Sequence, residues 1–138
     1  MITVVTTEKD RQACYDIRTA VFVVEQNVPF QLELDELEDE CVHFLATIDG
    51  VPMATARIHD RGYAKVQRVA VMKEARGTGL GKKLMEFILD HAREQDFFEA
   101  RLDAQVVAIP FYEKLGFEAH GPVFDDAGID HRAMTLKL

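Results

Sequence analysis

The sequence predicts an α/β or α+β domain in which helices flank a central mixed sheet. Strand-like apolar runs alternate with amphipathic helical patterns, a hairpin turn joins two of the runs, and no repeat or Pro/Gly-rich linker divides the chain. The 138 residues, 48% hydrophobic and 29% charged, suit one domain with one core. We therefore expect residues 1–138 to fold as a single unit.

The N-terminal half predicts one helix and four strands. A strand over 2–5 precedes a helix over 7–26, for which Thr7 is a candidate N-cap. Pro29 and the acidic run 33–40 predict a loop with at most a helical turn. Two strands follow over 43–49 and 52–59, with a hairpin turn at Asp49 and Gly50, and a longer strand covers 63–72.

The C-terminal half contains the strongest helix signal, over 77–95. Apolar residues recur there every four positions, at Leu80, Leu84, Ile88 and Ala92, so one stripe faces a core. A strand is expected over 97–104 and a short helix over 108–116, closed by Gly116. Strands over 117–121 and 131–138 complete the order.

Composition excludes several classes of protein. The net charge of −8 disfavours nucleic-acid binding, which needs a basic surface. No apolar run is long enough to cross a bilayer, and the N-terminus lacks a secretory signal, so we expect a cytoplasmic protein without membrane contact. Cys14 and Cys41 are too few for a disulfide framework, and the histidines show no metal-ligand spacing.

The glycine-rich stretch "RGTGLGKK" over 76–83 opens the predicted helix. The stretch does not match a Walker A loop, because only three residues separate Gly77 from Gly81 and Lys83 occupies the position that requires Ser or Thr. The stretch also does not match the dinucleotide-binding fingerprint G-x-G-x-x-G, because its pattern is G-x-G-x-G and a further loop separates it from the preceding strand. Helix N-termini carry partial positive charge and bind anions. Because Lys82 and Lys83 near the start of this helix are unfavourable unless a negative charge compensates them, they indicate that an external anion binds here. A tight turn with solvated lysines is the alternative.

This arrangement resembles the GNAT superfamily of acyl-CoA-dependent N-acyltransferases. The superfamily signature R/Q-x-x-G-x-G/A after an apolar strand corresponds to Arg76, Gly79 and Gly81, and a second block corresponds to "PFYEKLGF" over 110–117. Other stretches resemble the small bacterial ElaA-like and YjcF-like acetyltransferase subgroup. The resemblance implies a GNAT fold: a twisted, mostly antiparallel sheet of about six or seven strands, splayed at the CoA site and flanked by about four helices.

The resemblance also implies which residues bind acetyl-CoA, with no metal. Backbone N–H groups of the glycine loop would hold the pyrophosphate, and the edge of the preceding strand would pair with the pantetheine arm. An N–H group of that strand would polarise the thioester carbonyl. The implied residues are Val69, Ala70, Val71, Arg76, Gly77, Thr78, Gly79, Leu80, Gly81 and Lys82.

The implied reaction is direct attack of an amine on acetyl-CoA. Tyr112 matches the tyrosine that protonates the departing thiolate in many relatives, and packing beside Phe111 and Phe117 is its alternative role. The acceptor is a small amine, an aminosugar or a peptide amine. A non-catalytic acyl-CoA sensor with the same fold is the alternative function. Homodimers are common among such folds, although no residue here marks an interface.

The acceptor side is less well defined by the sequence. Glu25 and His131 are candidate bases or substrate contacts, and Arg68 is a further candidate substrate contact. The run 33–40 carries six acids and no base, which is typical of a solvated surface loop. Its alternative interpretation is a rim that attracts a cationic amine.

Overall fold

The computed structural model describes residues 1–138, which form a seven-stranded sheet with strand order β1-β2-β3-β4-β5-β7-β6. Every neighbouring pair is antiparallel except β4 and β5, so the mixed sheet expected from the sequence is confirmed. The strands are β1 (Ile2–Val4), β2 (Cys41–Ile48), β3 (Val51–Asp60), β4 (Ala64–Val71), β5 (Glu99–Gln105), β6 (Glu118–Asp126) and β7 (Ile129–Lys137). The helices are α1 (Glu8–Arg18), α2 (Phe30–Glu33), α3 (Leu80–Glu94) and α4 (Ile109–Glu113).

The first helix changes its winding halfway. Thr7 caps it as expected, since its hydroxyl accepts a hydrogen bond from the N–H of Asp10. Beyond α1 the chain continues as a π-helix over Thr19–Glu25, so one continuous α-helix over 7–26 is wrong. Apolar spacing over two turns does not separate the two kinds of helix. The wider turn re-aims the side chains that follow, and Phe22 and Gln26 line the central cavity.

The helix α3 begins three residues later than the sequence predicts. Gly77 and Gly79 adopt left-handed φ values of 79° and 85°, which a helix cannot contain, so regular winding starts at Leu80. The expected apolar stripe is confirmed, because Leu84 and Ile88 are fully buried against the sheet. α3 covers one face of β2 to β4, and α1 covers the opposite face.

Two tight turns shape the hairpins. Asp49 and Gly50 both have positive φ, as the expected turn between β2 and β3 requires. A second turn with positive φ, at Ala127 and Gly128, joins β6 to β7. β6 extends to Asp126, five residues beyond the strand that the sequence predicts over 117–121. Its pairing with β7 shifts register between His120 and Phe124, and this irregularity interrupts the alternation from which a strand is recognised in a sequence.

The sheet opens between its two parallel strands. β4 and β5 pair only at Ala64 with Ala100 and at Lys65 with Arg101, and the strands separate beyond that point. On its other edge β4 has a β-bulge, since Arg57 pairs with Gln67 but Thr55 pairs with Ala70. The splay that the resemblance implies is therefore confirmed. None of the helices is long and apolar enough to span a membrane.

Candidate active site

A cavity of about 700 Å³ occupies the gap where β4 and β5 separate. The glycine loop and α4 line it on the face covered by α3, and the π-helix and residues 28–33 line it on the face covered by α1. The turn between β6 and β7 closes one side. The gap thus connects the two faces of the sheet, and two molecules can meet inside it.

The glycine loop presents a row of free backbone donors. The N–H of Leu80 bonds weakly to the hydroxyl of Thr78, and the first bond of α3 runs from Lys83 to the carbonyl of Gly79. The N–H groups of residues 77–79, 81 and 82 have no partner within the chain. A Cβ atom built on Gly79 would meet nothing within 4 Å. Free donors at the start of a fifteen-residue helix form an anion site.

Basic side chains near this loop have different surroundings. Lys82 and Lys83 are exposed beside the helix start. The Nε–H of Arg76 donates to the carbonyl of Val71 at 3.0 Å, and its Nη2 pairs with Glu25 at 2.9 Å. The hydrogen bond from Arg76 lowers the pKa of Glu25. The candidate base Glu25 therefore points at the glycine loop and does not line the cavity.

One edge of β4 is open to the cavity. The N–H of Met72 donates to the carbonyl of Met53 on β3, so alternation along the strand turns the peptide groups of Val71 and Val69 toward the gap. Ala70 pairs with Thr55 and faces β3 instead, which leaves Val69 and Val71 as the edge that can pair with an extended chain.

Tyr112 packs in the core and also reaches the cavity. Its ring lies edge-on to Phe111 at 5.0 Å and to Phe117 at 5.9 Å, so it packs in the core. The side chain also lines the cavity, and its hydroxyl makes no hydrogen bond within the chain. Burial raises the pKa of Tyr112, which keeps the phenol protonated at neutral pH.

His131 lies on β7 directly opposite Gln105 of β5, and both line the cavity. The Nδ1 of His131 lies 2.7 Å from the carbonyl of Ile129, and its ring stacks on Phe124. A carbonyl can only accept, so Nδ1 carries the proton and Nε2 keeps its lone pair. The arrangement leaves His131 with an available proton acceptor.

An amide pair, which the sequence does not predict, completes the far wall. The Nε2 of Gln105 donates to the Oε1 of Gln26 at 2.8 Å, and the amides are close enough for the reverse bond at 3.4 Å. The two residues are 79 positions apart, so only the fold brings them together. The position of Gln105 directly after the strand predicted over 97–104 is the one signal that the sequence offers.

The acidic run 33–40 is only partly solvated, since three of its six acids are exposed and two are buried. Glu33 and Glu38 are only 3% and 8% exposed, and they belong to an arginine–carboxylate cluster. Its members share short ion pairs between this run, α1, β3 and the bulge of β4, and they are Arg18, Arg57, Arg68, Glu33, Asp35 and Glu38. The exposure expected for the run is therefore wrong for these carboxylates, because three arginines distant in sequence compensate them.

Arg18 occupies the centre of this cluster. It is 1% exposed, its Nε lies 2.7 Å from Glu33, and its two terminal nitrogens contact both oxygens of Glu38 at 2.9 and 2.7 Å. Burial alone would raise the pKa of Glu38, but the hydrogen bonds and charges of Arg18 and Arg57 outweigh it and lower the pKa to about 2.

Comparisons with known proteins show what this chain is similar to in sequence and fold. Residues 5–138 match the family model of the acetyltransferase (GNAT) domain. YjcF of Bacillus subtilis, described as an uncharacterized N-acetyltransferase, is 36% identical over 129 residues that cover 92% of this chain and 92% of that protein. ElaA of Escherichia coli is 33% identical over 135 residues, covering 91% of this chain and 86% of that protein.

A solved structure is also similar throughout. The crystal structure of an acyl-CoA N-acyltransferase from Pseudomonas aeruginosa superimposes with a TM-score of 0.88 at 34% identity. The match covers 98% of this chain and 97% of that one. These similarities confirm the resemblance that was based on the glycine loop and the 110–117 block.

Proposed function

Because this chain belongs to the GNAT acetyltransferase family, we propose that it moves an acetyl group from acetyl-CoA to an amine by direct attack. The observation that carries the proposal is the row of free N–H groups at the start of α3, beside a gap in the sheet. A helix start of this kind binds phosphate oxygens, and the gap admits an extended thioester arm.

On the donor side, backbone groups do most of the binding. The free N–H groups of residues 77–79, 81 and 82 hold the pyrophosphate, with exposed Lys82 adding positive charge. The open peptide group of Val69 and the N–H of Val71 pair with the amides of the pantetheine arm, while the carbonyl of Val71 accepts from Arg76. An N–H group in this segment polarises the thioester carbonyl as the amine attacks.

The chemistry needs one proton removed and one supplied. The amine nitrogen forms a C–N bond with the acetyl carbon as the C–S bond breaks. Tyr112 gives its proton to the departing thiolate, and the lone pair on Nε2 of His131 accepts the proton that the amine loses. His131 is preferred to Glu25 as the base, because Glu25 is paired with Arg76 outside the cavity.

A direct test uses the purified chain with acetyl-CoA. Acetyl-CoA at 100 times its Kd should stabilise the fold by about 2.7 kcal/mol, which raises the Tm by several degrees. Free thiol should then appear when an amine library of polyamines, aminosugars, amino acids and short peptides is added. An unchanged Tm with no heat of binding would overturn the donor assignment. Binding without thiol release on any amine would instead favour an acyl-CoA sensor.

A further inference from the structure

Only two of the three nitrogens of the Arg68 guanidinium have partners within the protein. Its Nε lies 3.0 Å from the carboxylate of Glu33, and its Nη2 lies 3.3 Å from Asp35 and 3.4 Å from the carbonyl of Leu32. Its Nη1 has no partner. The Nε of Arg11 is the one fully buried side-chain nitrogen or oxygen lacking a partner, so Nη1 of Arg68 is accessible, and Arg68 lines the cavity.

The bulge of β4 aims this side chain. Arg68 has a φ of 57°, a left-handed conformation that non-glycine residues adopt rarely and at a cost in energy. The bulge inserts Arg68 next to Val69, whose peptide group faces the gap. A ligand atom bound by Nη1 therefore lies close to the place where the thioester would be attacked, and one small molecule can reach both.

The acidic run does not offer a site for a cationic acceptor here. Within the cluster, Glu33, Asp35 and Glu38 are balanced by Arg18, Arg57 and Arg68. Of the remaining acids, Asp39 pairs with Arg11, while Glu36 and Glu40 are exposed and do not line the cavity. The free polar groups that line the cavity include the donors Nη1 of Arg68 and the spare amide hydrogens of Gln26 and Gln105, and the turn between β6 and β7 adds the carboxylate of Asp126.

The remaining lining on this side is apolar. Val21, Phe22, Val28 and Leu32 extend along the π-helix and the following segment to the edge of the gap. An acceptor that fits this wall has a hydrocarbon body, an anionic end for Arg68 and an amine directed at the thioester. A doubly charged phosphate suits it less well, because Glu33 and Asp35 lie beside Arg68.

We propose that the acceptor is a small amine that also carries a carboxylate, of the apolar amino-acid type, and that Nη1 of Arg68 binds this carboxylate. The inference rests on the proposed function, since it names the acceptor class for the same site. Arg68 is then a specificity-determining residue, and the Gln26–Gln105 pair borders the carboxylate with further donors.

The test compares matched acceptors on the wild-type protein with thiol release as the readout. Phenylalanine and leucine should be acetylated with a kcat/KM about tenfold to a hundredfold above phenethylamine, isoamylamine and phenylalaninamide, which lack the carboxylate. Equal or reversed rates, or a preference for O-phosphoethanolamine, would overturn the inference. Transfer to polyamines or aminosugars alone would also overturn it but leave acetyl transfer standing. No transfer to any amine would overturn both.

A pair of variants separates specificity from stability. Arg68→Lys keeps a positive charge beside Glu33 but removes Nη1, so the KM for phenylalanine should rise about tenfold or more while that for phenethylamine stays the same. The control is Arg101→Lys on β5, because Arg101 also pairs with a carboxylate, that of Glu99, but does not line the cavity. The Tm of each variant is recorded, and an equal loss on both acceptors would overturn the role of Arg68.

Discussion

The side chain of Tyr112 packs in the core, and the chemical role proposed for it depends on that packing. Its ring is held between Phe111 and Phe117, so the hydroxyl has a fixed direction toward the cavity. No protein group competes for that hydroxyl. Since burial raises the pKa of Tyr112, the phenol stays protonated at neutral pH and can donate a hydrogen bond to a leaving thiolate as negative charge develops on the sulfur.

The first prediction concerns this hydroxyl. Tyr112→Phe keeps the aromatic packing and removes only the proton donor, so kcat should fall by about 100-fold or more while the Kd for acetyl-CoA is unchanged. Thiol release and calorimetry measure the two quantities. Phe87→Leu is the packing control, because Phe87 packs edge-on to Phe44 and does not line the cavity, and its effect should be on the Tm alone. Full turnover by Tyr112→Phe would remove Tyr112 from the chemistry and leave it a core residue.

At the scale of elements, the donor site that we propose lies at the start of α3, and a substitution can test it. Gly79→Val places a branched side chain over the free N–H groups, where a Cβ has open space and a ligand phosphate would lie, so the Kd for acetyl-CoA should rise at least about 100-fold. Calorimetry measures the Kd, and a thermal melt measures the loss of stability that the left-handed backbone causes at a valine.

The matched control for this substitution is Gly62→Val. Gly62 lies in the turn between β3 and β4 with a φ of 82°, close to the 85° of Gly79, and its Cβ would also meet nothing. Both variants should therefore lose about 1–2 kcal/mol of stability from the left-handed backbone. Only Gly79→Val should lose acetyl-CoA binding. Equal affinities in the two variants would place the phosphate somewhere else.

Elements with local signals were predictable from the sequence. The stripe of α3, the turn at Asp49 and Gly50 and the glycine loop each depend on residues within one or two turns of chain, and all are present in the structure. The sequence does not predict the late start of α3, because the left-handed φ angles of Gly77 and Gly79 are visible only in the structure. The π-helix was missed for a similar reason, since its apolar spacing over two turns also fits an α-helix.

Contacts that depend on the fold were not predictable. Arg18 is 20 positions from Glu38, and Gln26 is 79 positions from Gln105. A run of acids is usually exposed, and only the approach of three arginines from other elements makes it favourable to bury Glu33 and Glu38. The proposed acceptor side of the cavity consists of such contacts, whereas the glycine loop is visible in a local sequence pattern.

At the scale of the whole molecule, the arginine–carboxylate cluster holds one wall of the cavity. Residues 30–34 contribute little to a core, since Phe30, Leu32 and Leu34 are 56%, 57% and 41% exposed. Ion pairs from Glu33, Asp35 and Glu38 connect residues 30–38 to α1, β3 and β4. The acceptor wall is thus attached mainly by charge, and its stability should depend on pH more than that of the apolar core.

Glu38 gives this dependence a sign. Its pKa falls from its ordinary 4.5 to about 2 in the folded chain, so the folded state favours the ionised form. The stabilisation is therefore complete above about pH 4.5, where it amounts to about 3 kcal/mol, and it is lost as the pH falls toward 2. Burial raises the pKa of Glu33 and acts in the opposite direction, so the two residues must be separated by substitution.

The final prediction therefore compares Glu38→Gln with the wild type. The difference in unfolding free energy should shrink by about 2 kcal/mol between pH 7 and pH 3, because over that range Glu38 takes up a proton in the unfolded chain and stays largely ionised in the folded one, while Gln has no proton to take up. Urea unfolding at each pH measures it. Glu36→Gln is the control, since Glu36 lies in the same segment, is exposed and makes no ion pair, so its difference should stay constant. A Glu38→Gln difference that is the same at both pH values would mean that the arginines do not stabilise the charge of Glu38, and apolar contacts would then have to hold the wall.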